Sequence, residues 1–206
     1  GPRPRPAEPD WLPVGRARPE CRGLGRAALR LDSPAVDRLV GTVLAAEGPV
    51  TTWNEVLAPA LRAVGRKWAS SGERYVEVEH LLSWHASSLL RRLIVPSPGL
   101  RSVRPPVLLA CMPEEQHCLA LEALAAALAA RRVPLRMLGA AVPPEALLDA
   151  VHRTGPAAVV LWSQVRQTAD PVLAHHLLQA GWETRGARVR PVVLAAGPGW
   201  GGRRPR

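Results

Sequence analysis

A chain of 206 residues is long enough for one large or two modest domains, and its abundant Leu, Val and Ala, with seven Trp and no Phe, are enough to build a core. The net charge of +10 would suggest a nucleic-acid binder, but residues 1–30 hold seven Arg against three acids and residues 185–206 hold six Arg and no acid, leaving the body between them balanced. The basic ends suit phosphate contact without sequence choice and give no reason to read the body as a DNA reader. Cys21, Cys111 and Cys118 are odd in number and lack metal-ligand spacing, which points to reduced thiols in a cytoplasmic protein. No apolar run approaches the ~18–20 residues of a membrane span and no signal-peptide pattern opens the chain. A soluble protein with no membrane partner is expected.

Residues 1–21 read as a linker or tail, with six prolines in the first twenty positions and no periodicity. Residues 22–96 have a helical period and predict an antiparallel four-helix bundle. Leu24, Ala27, Ala28 and Leu31 make a first short face. Ser33-Pro34 reads as an N-cap and first helical position, opening a second helix through Val36, Leu39, Val40, Val43 and Leu44 to Gly48. Thr51 or Thr52 caps a third, with Val56, Leu57, Ala60, Leu61, Val64 and Trp68 on one face, and Ser70-Ser71-Gly72 ends it. A fourth runs from about Tyr75 to Ile94.

Residues 97–105 form a second linker, and from 106 to 200 the pattern alternates. Strands are expected at Val107–Cys111, Leu135–Leu138, Ala158–Trp162 and Val192–Ala195, with helices over 115–131, 144–153 and about 170–181. Alternating units of this length predict an α/β, Rossmann-like (flavodoxin-like) domain with a parallel sheet and right-handed crossovers. Residues 201–206 are a basic tail. Such a domain usually continues into another strand and helix, so either this one lacks them or the chain is a fragment.

Ligand sites in open α/β sheets lie at the carboxyl ends of strands. After the first strand come Glu115 and His117, a carboxylate two residues before an imidazole and well placed to fix its tautomer. After the third come Ser163, Gln164 and Val165; after the fourth, Gly197 and Gly199. Each signal alone is common, and their order and shared position carry the weight. His152, His175 and His176 have no partner pattern and read as surface residues. No nucleophile–base pair, phosphate loop or carboxylate dyad has a suitable context, so no enzyme is expected.

The segment from Glu115 to Ala120 is similar to a DxHxxG frame with Glu for Asp and Ala for the last Gly; Ser163-Gln164-Val165 is similar to SxL, and Gly197 and Gly199 stand where a GG pair would be. Together they resemble the cobalamin-binding Rossmann-like domain. That resemblance implies His117 as lower axial cobalt ligand, with Glu115, Ser163, Val165, Gly197 and Gly199 at the slot for the nucleotide tail. In the helical half, Trp68 and the pair Glu79-His80, with the segments Leu31–Asp37 and Glu55–Leu61, resemble the sensory region of MerR-type, light-responsive, cobalamin-dependent transcriptional repressors. In that family the Trp packs over the adenosyl group and the Glu-His pair lies beside the upper cobalt face. The spacing here is W-x10-EH, one residue longer than the family's W-x9-EH, and an extra residue fits in the turn at 70–72. Ala69 stands where the family has the His that takes cobalt after light, which leaves His80 or His85 as upper-face ligand. Those two lie about 140° apart around a helix and do not share a face.

The resemblance implies a sensor module that takes adenosylcobalamin, forms a homo-oligomer (dimer or tetramer), and reaches DNA only through an N-terminal winged-helix domain. Residues 1–20 then read as the linker to that domain. The alternatives are a corrinoid carrier for methyl transfer, which shares the His117 frame, a stand-alone antirepressor, and a module for another tetrapyrrole.

Overall fold

The computed structural model describes residues 12, 17–71, 75–94, 104–183 and 191–201, with backbone alone at 68, 70, 71 and 180–183. The chain divides into two compact units between Arg92 and Leu93.

The first unit is helical. Helix α1 (Pro19–Leu29) starts three residues before the expected Arg22, with proline at its first position, where the missing N–H costs nothing. Cys21, Leu24, Ala27 and Ala28 form its buried face, and Leu12 packs against Gly25. Helix α2 (Ser33–Thr52) is capped by Asp32 rather than Ser33: the Asp32 carboxylate accepts from the Ala35 amide at 3.0 Å.

Gly48 interrupts α2 with φ 77° and ψ 175°, as its place at the end of the apolar stripe suggested. The helix then restarts at Pro49, so neither Thr51 nor Thr52 is a cap. Thr52 instead donates its hydroxyl back to the Gly48 carbonyl at 2.8 Å. A π-helical turn (Trp53–Leu57) leads into α3 (Ala58–Ser71), and α4 (Val76–Arg92) closes the unit with Val78, Leu82, Ala86, Leu89 and Leu90 inside. Helix α1 packs against α2, α3 and α4, and α4 also packs against α2 and α3. Arg18 ties the start of α1 to the kinked region, reaching Glu47 at 2.6 Å and Glu55 at 2.8 Å. The hydrogen bond from Arg18 holds the Glu47 carboxyl below its ordinary range.

The second unit is a four-stranded parallel sheet among the described residues, in the order β2-β1-β3-β4. The strands are β1 (Val107–Cys111), β2 (Leu135–Gly139), β3 (Ala158–Trp162) and β4 (Val192–Ala196); the helices are α5 (Leu119–Ala130), α6 (Pro144–Thr154) and α7 (Pro171–Glu183). Helix α5 starts four residues later than its expected beginning at 115, because residues 115–118 form a loop. One face of the sheet packs Leu108, Ala110, Val159 and Leu161 against Leu147, Val151, Leu173 and Leu177, from α6 and α7. The other packs Leu109, Cys111 and Val160 against Leu121 and Ala125 of α5. Chain connections from β1 and β3 run to opposite sides of the sheet, so the strand order switches at the carboxyl ends of these two strands, where open α/β sheets hold their ligands.

Candidate functional site

The loop after β1 is shaped by its backbone before any side chain is considered. Glu114 has φ 65°, a left-handed conformation that costs a non-glycine residue about 1 kcal/mol or more. It persists because the next residue is tied on both sides: the Glu115 amide donates to the Met112 carbonyl at 3.1 Å, and the Glu115 carbonyl accepts from the Ala141 amide at 2.8 Å. The turn drives the Glu115 side chain inward until the residue is 1% exposed.

A buried carboxylate needs donors on both oxygens. Oε1 accepts from the His117 amide at 2.9 Å and lies 2.6 Å from His117 Nδ1. Oε2 accepts from the Gln164 amide at 2.7 Å, the Val165 amide at 3.3 Å and the Thr168 hydroxyl at 2.7 Å. Burial pushes the Glu115 pKa up, but the His117 amide, the Thr168 hydroxyl, the His117 ring and the Gln164 amide outweigh it and hold the carboxyl at about 2. An ionised carboxylate only accepts, so Nδ1 is the donor, and the tautomer this selects has its lone pair on Nε2. The His117 side chain is 60% exposed although its partner is buried. This is the carboxylate–imidazole arrangement that makes a good metal ligand.

The ends of β3 and β4 are joined to this pair. The Ser163 amide donates to the Ala196 carbonyl at 3.0 Å, and the Gly199 amide donates to the Ser163 carbonyl at 3.0 Å. The Ser163 hydroxyl is enclosed, donating to the Val165 carbonyl at 2.8 Å and sitting 2.7 Å from Thr168 Oγ1. Gly197 has φ 104°, and a Cβ there would run into the Ser163 carbonyl oxygen. A Cβ on Gly199 would meet the Ser163 hydroxyl and, at 2.5 Å, the Val165 carbonyl oxygen. The glycines therefore give up their side-chain space to the loop after β3.

Of the residues singled out in the sequence, Glu115, His117, Ser163, Val165, Gly197 and Gly199 come together at this one end of the sheet. Thr168 and the Gln164 amide belong with them; Gln164 was named only as the middle of the SxL-like run, with no role given to its amide, and Thr168 was not singled out. Nothing local marks them, because their partner is about fifty residues earlier in the chain. In the helical unit Glu79 is half-buried and His80 exposed at the start of α4. His85 turns toward α2, with Nδ1 2.7 Å from Asp37. The side chain of Trp68 lies outside the described residues. His152, His175 and His176 are exposed, as expected.

Among the described residues no group of three or more His, Cys, Asp and Glu could hold a bare metal ion. One supported imidazole instead suits a metal whose equatorial positions are filled by a macrocycle. His117, with Glu115 behind it, fits a corrinoid in that sense, and the two glycines let the loop after β3 pack closely against the sheet end beside it.

Residues 20–94 match the B12 binding domain family. Over 141 residues, 68% of this chain, the sequence is 40% identical to the HTH-type transcriptional repressor CarH of Myxococcus xanthus. The chain spans under half of that relative, 46% of its length. The kinship with cobalamin-dependent regulators read from the sequence is thereby borne out. The fold is that of the monomethylamine corrinoid protein of Methanosarcina barkeri, with a TM-score of 0.63 over 85% of this chain and 82% of that one; at 14% identity the likeness concerns the fold alone. It bears out the expected Rossmann-like parallel sheet.

Proposed function

We propose that this chain is the cobalamin-binding sensor module of a MerR-type transcriptional regulator, with His117 as lower axial cobalt ligand. The observation that carries the reading is Glu115, whose buried carboxylate fixes the His117 tautomer while anchoring the loop after β3. Identity of 40% with a repressor favours regulation over methyl transfer, since the likeness to a corrinoid carrier is one of fold. No helix among the described residues is long and apolar enough to cross a membrane. The reading places the module in the cytoplasm.

In this reading the cofactor is adenosylcobalamin, which when bound supplies a cobalt–carbon bond that light can break. Glu115, His117, Ser163, Val165, Gly197 and Gly199 serve its lower side, and Trp68, Glu79 and His80 its upper face. His80 is the better candidate for an upper ligand, because His85 already has its Nδ1 on Asp37 and is 16% exposed. Preference of the bound group for one arrangement of the protein sets the oligomer, a dimer or tetramer, and through it DNA binding by a winged-helix domain outside these residues.

The test is an absorption spectrum of the protein reconstituted with adenosylcobalamin in darkness and after green light, for wild type and His117→Ala. Wild type is expected to give the base-off, His-on spectrum and the variant to lose it. Equal spectra from the two would remove His117 as ligand.

A further inference from the structure

Trp162 ends β3 on the face of the sheet that α5 covers, opposite Cys111 of β1 and Ala196 of β4. Its indole N–H is enclosed and has no hydrogen-bond partner among the described residues. Trp200, on the other face, donates its own Nε1 to the Leu161 carbonyl at 3.2 Å. One indole at this end of the sheet is thus satisfied and the other is not. A buried donor without an acceptor is a cost that folded proteins usually avoid, and here it falls next to the candidate site.

The surroundings of the ring show how it is held. A Cβ on Gly197 would meet Trp162 Cδ2 at 3.2 Å, so the indole occupies space that glycine leaves. Cys111, its neighbour across the sheet, lies 3.8 Å through Sγ from the His117 carbonyl oxygen, which puts the indole and the candidate ligand loop on either side of one residue. Beyond Ala196 the same face carries Val192 and Leu194, 56% and 48% exposed. Trp162 therefore sits at the end of an apolar strip that is open on one side, kept in place by packing and not by a hydrogen bond.

We propose that Trp162 is a displaceable plug that gates the entry of a corrinoid's lower tail. Its ring fills the space between α5 and the ends of β3 and β4, and it turns aside when a base-bearing tail enters. The indole N–H then gains an acceptor among the ribose and phosphate oxygens of that tail. Satisfying this donor offsets part of the cost of moving the ring. The inference rests on the cobalamin reading above.

The test compares adenosylcobalamin with adenosylcobinamide, which lacks the nucleotide tail. The full chain is labelled with 5-fluorotryptophan and the Trp162 fluorine resonance assigned with Trp162→Phe. That resonance is expected to move with adenosylcobalamin and stay in place with adenosylcobinamide. Trp162→Ala is expected to take up adenosylcobalamin about tenfold faster, equivalent to about 1.4 kcal/mol off the barrier, with uptake of adenosylcobinamide unchanged. If both corrinoids bind wild type and the Trp162 resonance moves with neither, or the substitution changes both rates alike, the plug is refuted and the cobalamin reading stands. If wild type binds neither, both fall. The fluorine measurement needs no folded Ala variant.

Discussion

The Glu115 carboxylate stands between His117 Nδ1, 2.6 Å from one oxygen, and the Thr168 hydroxyl, 2.7 Å from the other. It is an acceptor shared by two loops that leave neighbouring strands. Glu115→Gln keeps the size but replaces one acceptor with a donor, which then faces N–H or O–H groups on that side. The variant is expected to lose about 2–4 kcal/mol of stability in urea unfolding and about 10–100-fold in corrinoid affinity by spectral titration. Glu115→Asp, one methylene shorter, should keep one loop at the expense of the other and fall between.

The low pKa of Glu115 makes an acid-side prediction. Its ordinary value is 4.5 and its folded value about 2, so the folded state binds the proton more weakly than the unfolded one. The resulting stability, about 3 kcal/mol, is fully present above pH 4.5 and lost as pH falls toward 2. Thermal midpoints recorded across that window should fall more steeply for wild type than for Glu115→Gln. Parallel curves would mean that another group controls the acid limb.

Thr168 offers a way to separate positioning from binding. Thr168→Val removes the hydroxyl that Glu115 and Ser163 share while keeping the branched shape. A cost of about 1–2 kcal/mol is expected from the denaturant midpoint, with a smaller affinity loss than for Glu115→Gln, because the bonds from Glu115 to His117 remain.

Glycine at 199 is a steric requirement. Gly199→Ala pushes a methyl group into the Val165 carbonyl oxygen, which is backbone and cannot swing away. The substitution should cost about 1–3 kcal/mol in urea unfolding. Gly65→Ala, where nothing lies within 4 Å, should cost nothing or stabilise the helix slightly.

The cysteines give a cheap check on the fold. Cys21 and Cys111 are buried, and burial raises both thiols, Cys111 to about 12, whereas Cys118 is half-exposed at the start of α5. One thiol per chain should react quickly with a maleimide in native buffer, and peptide mapping should find it at Cys118. The other two should react only on unfolding.

The sheet was legible because its strands are short apolar runs bounded by Pro, Gly or charge. Val107–Cys111 and Ala158–Trp162 were predicted to the residue. The helical unit was less so at its bends. Residues 49–57 read as a cap followed by an ordinary helix, but the α-to-π change leaves no mark in a pattern with period 3.6, and a threonine that bonds backward looks in sequence like one that caps forward. At the site the sequence yielded His117 and Glu115, which are two residues apart, and missed Thr168, which is brought to Glu115 by the order of strands. Trp162 was read as the last residue of a strand. That its indole lacks an acceptor is a property of the packed sheet and has no counterpart in the spacing of residues.

Strand β4 pairs with β3 on one side, and among the described residues no strand lies on its other side. With Val192 and Leu194 exposed, that rim carries greasy side chains along a strand edge that no described strand covers, the combination by which a second extended segment is recruited. A charged residue in place of Leu194 would be the simplest guard against self-association when the protein is concentrated.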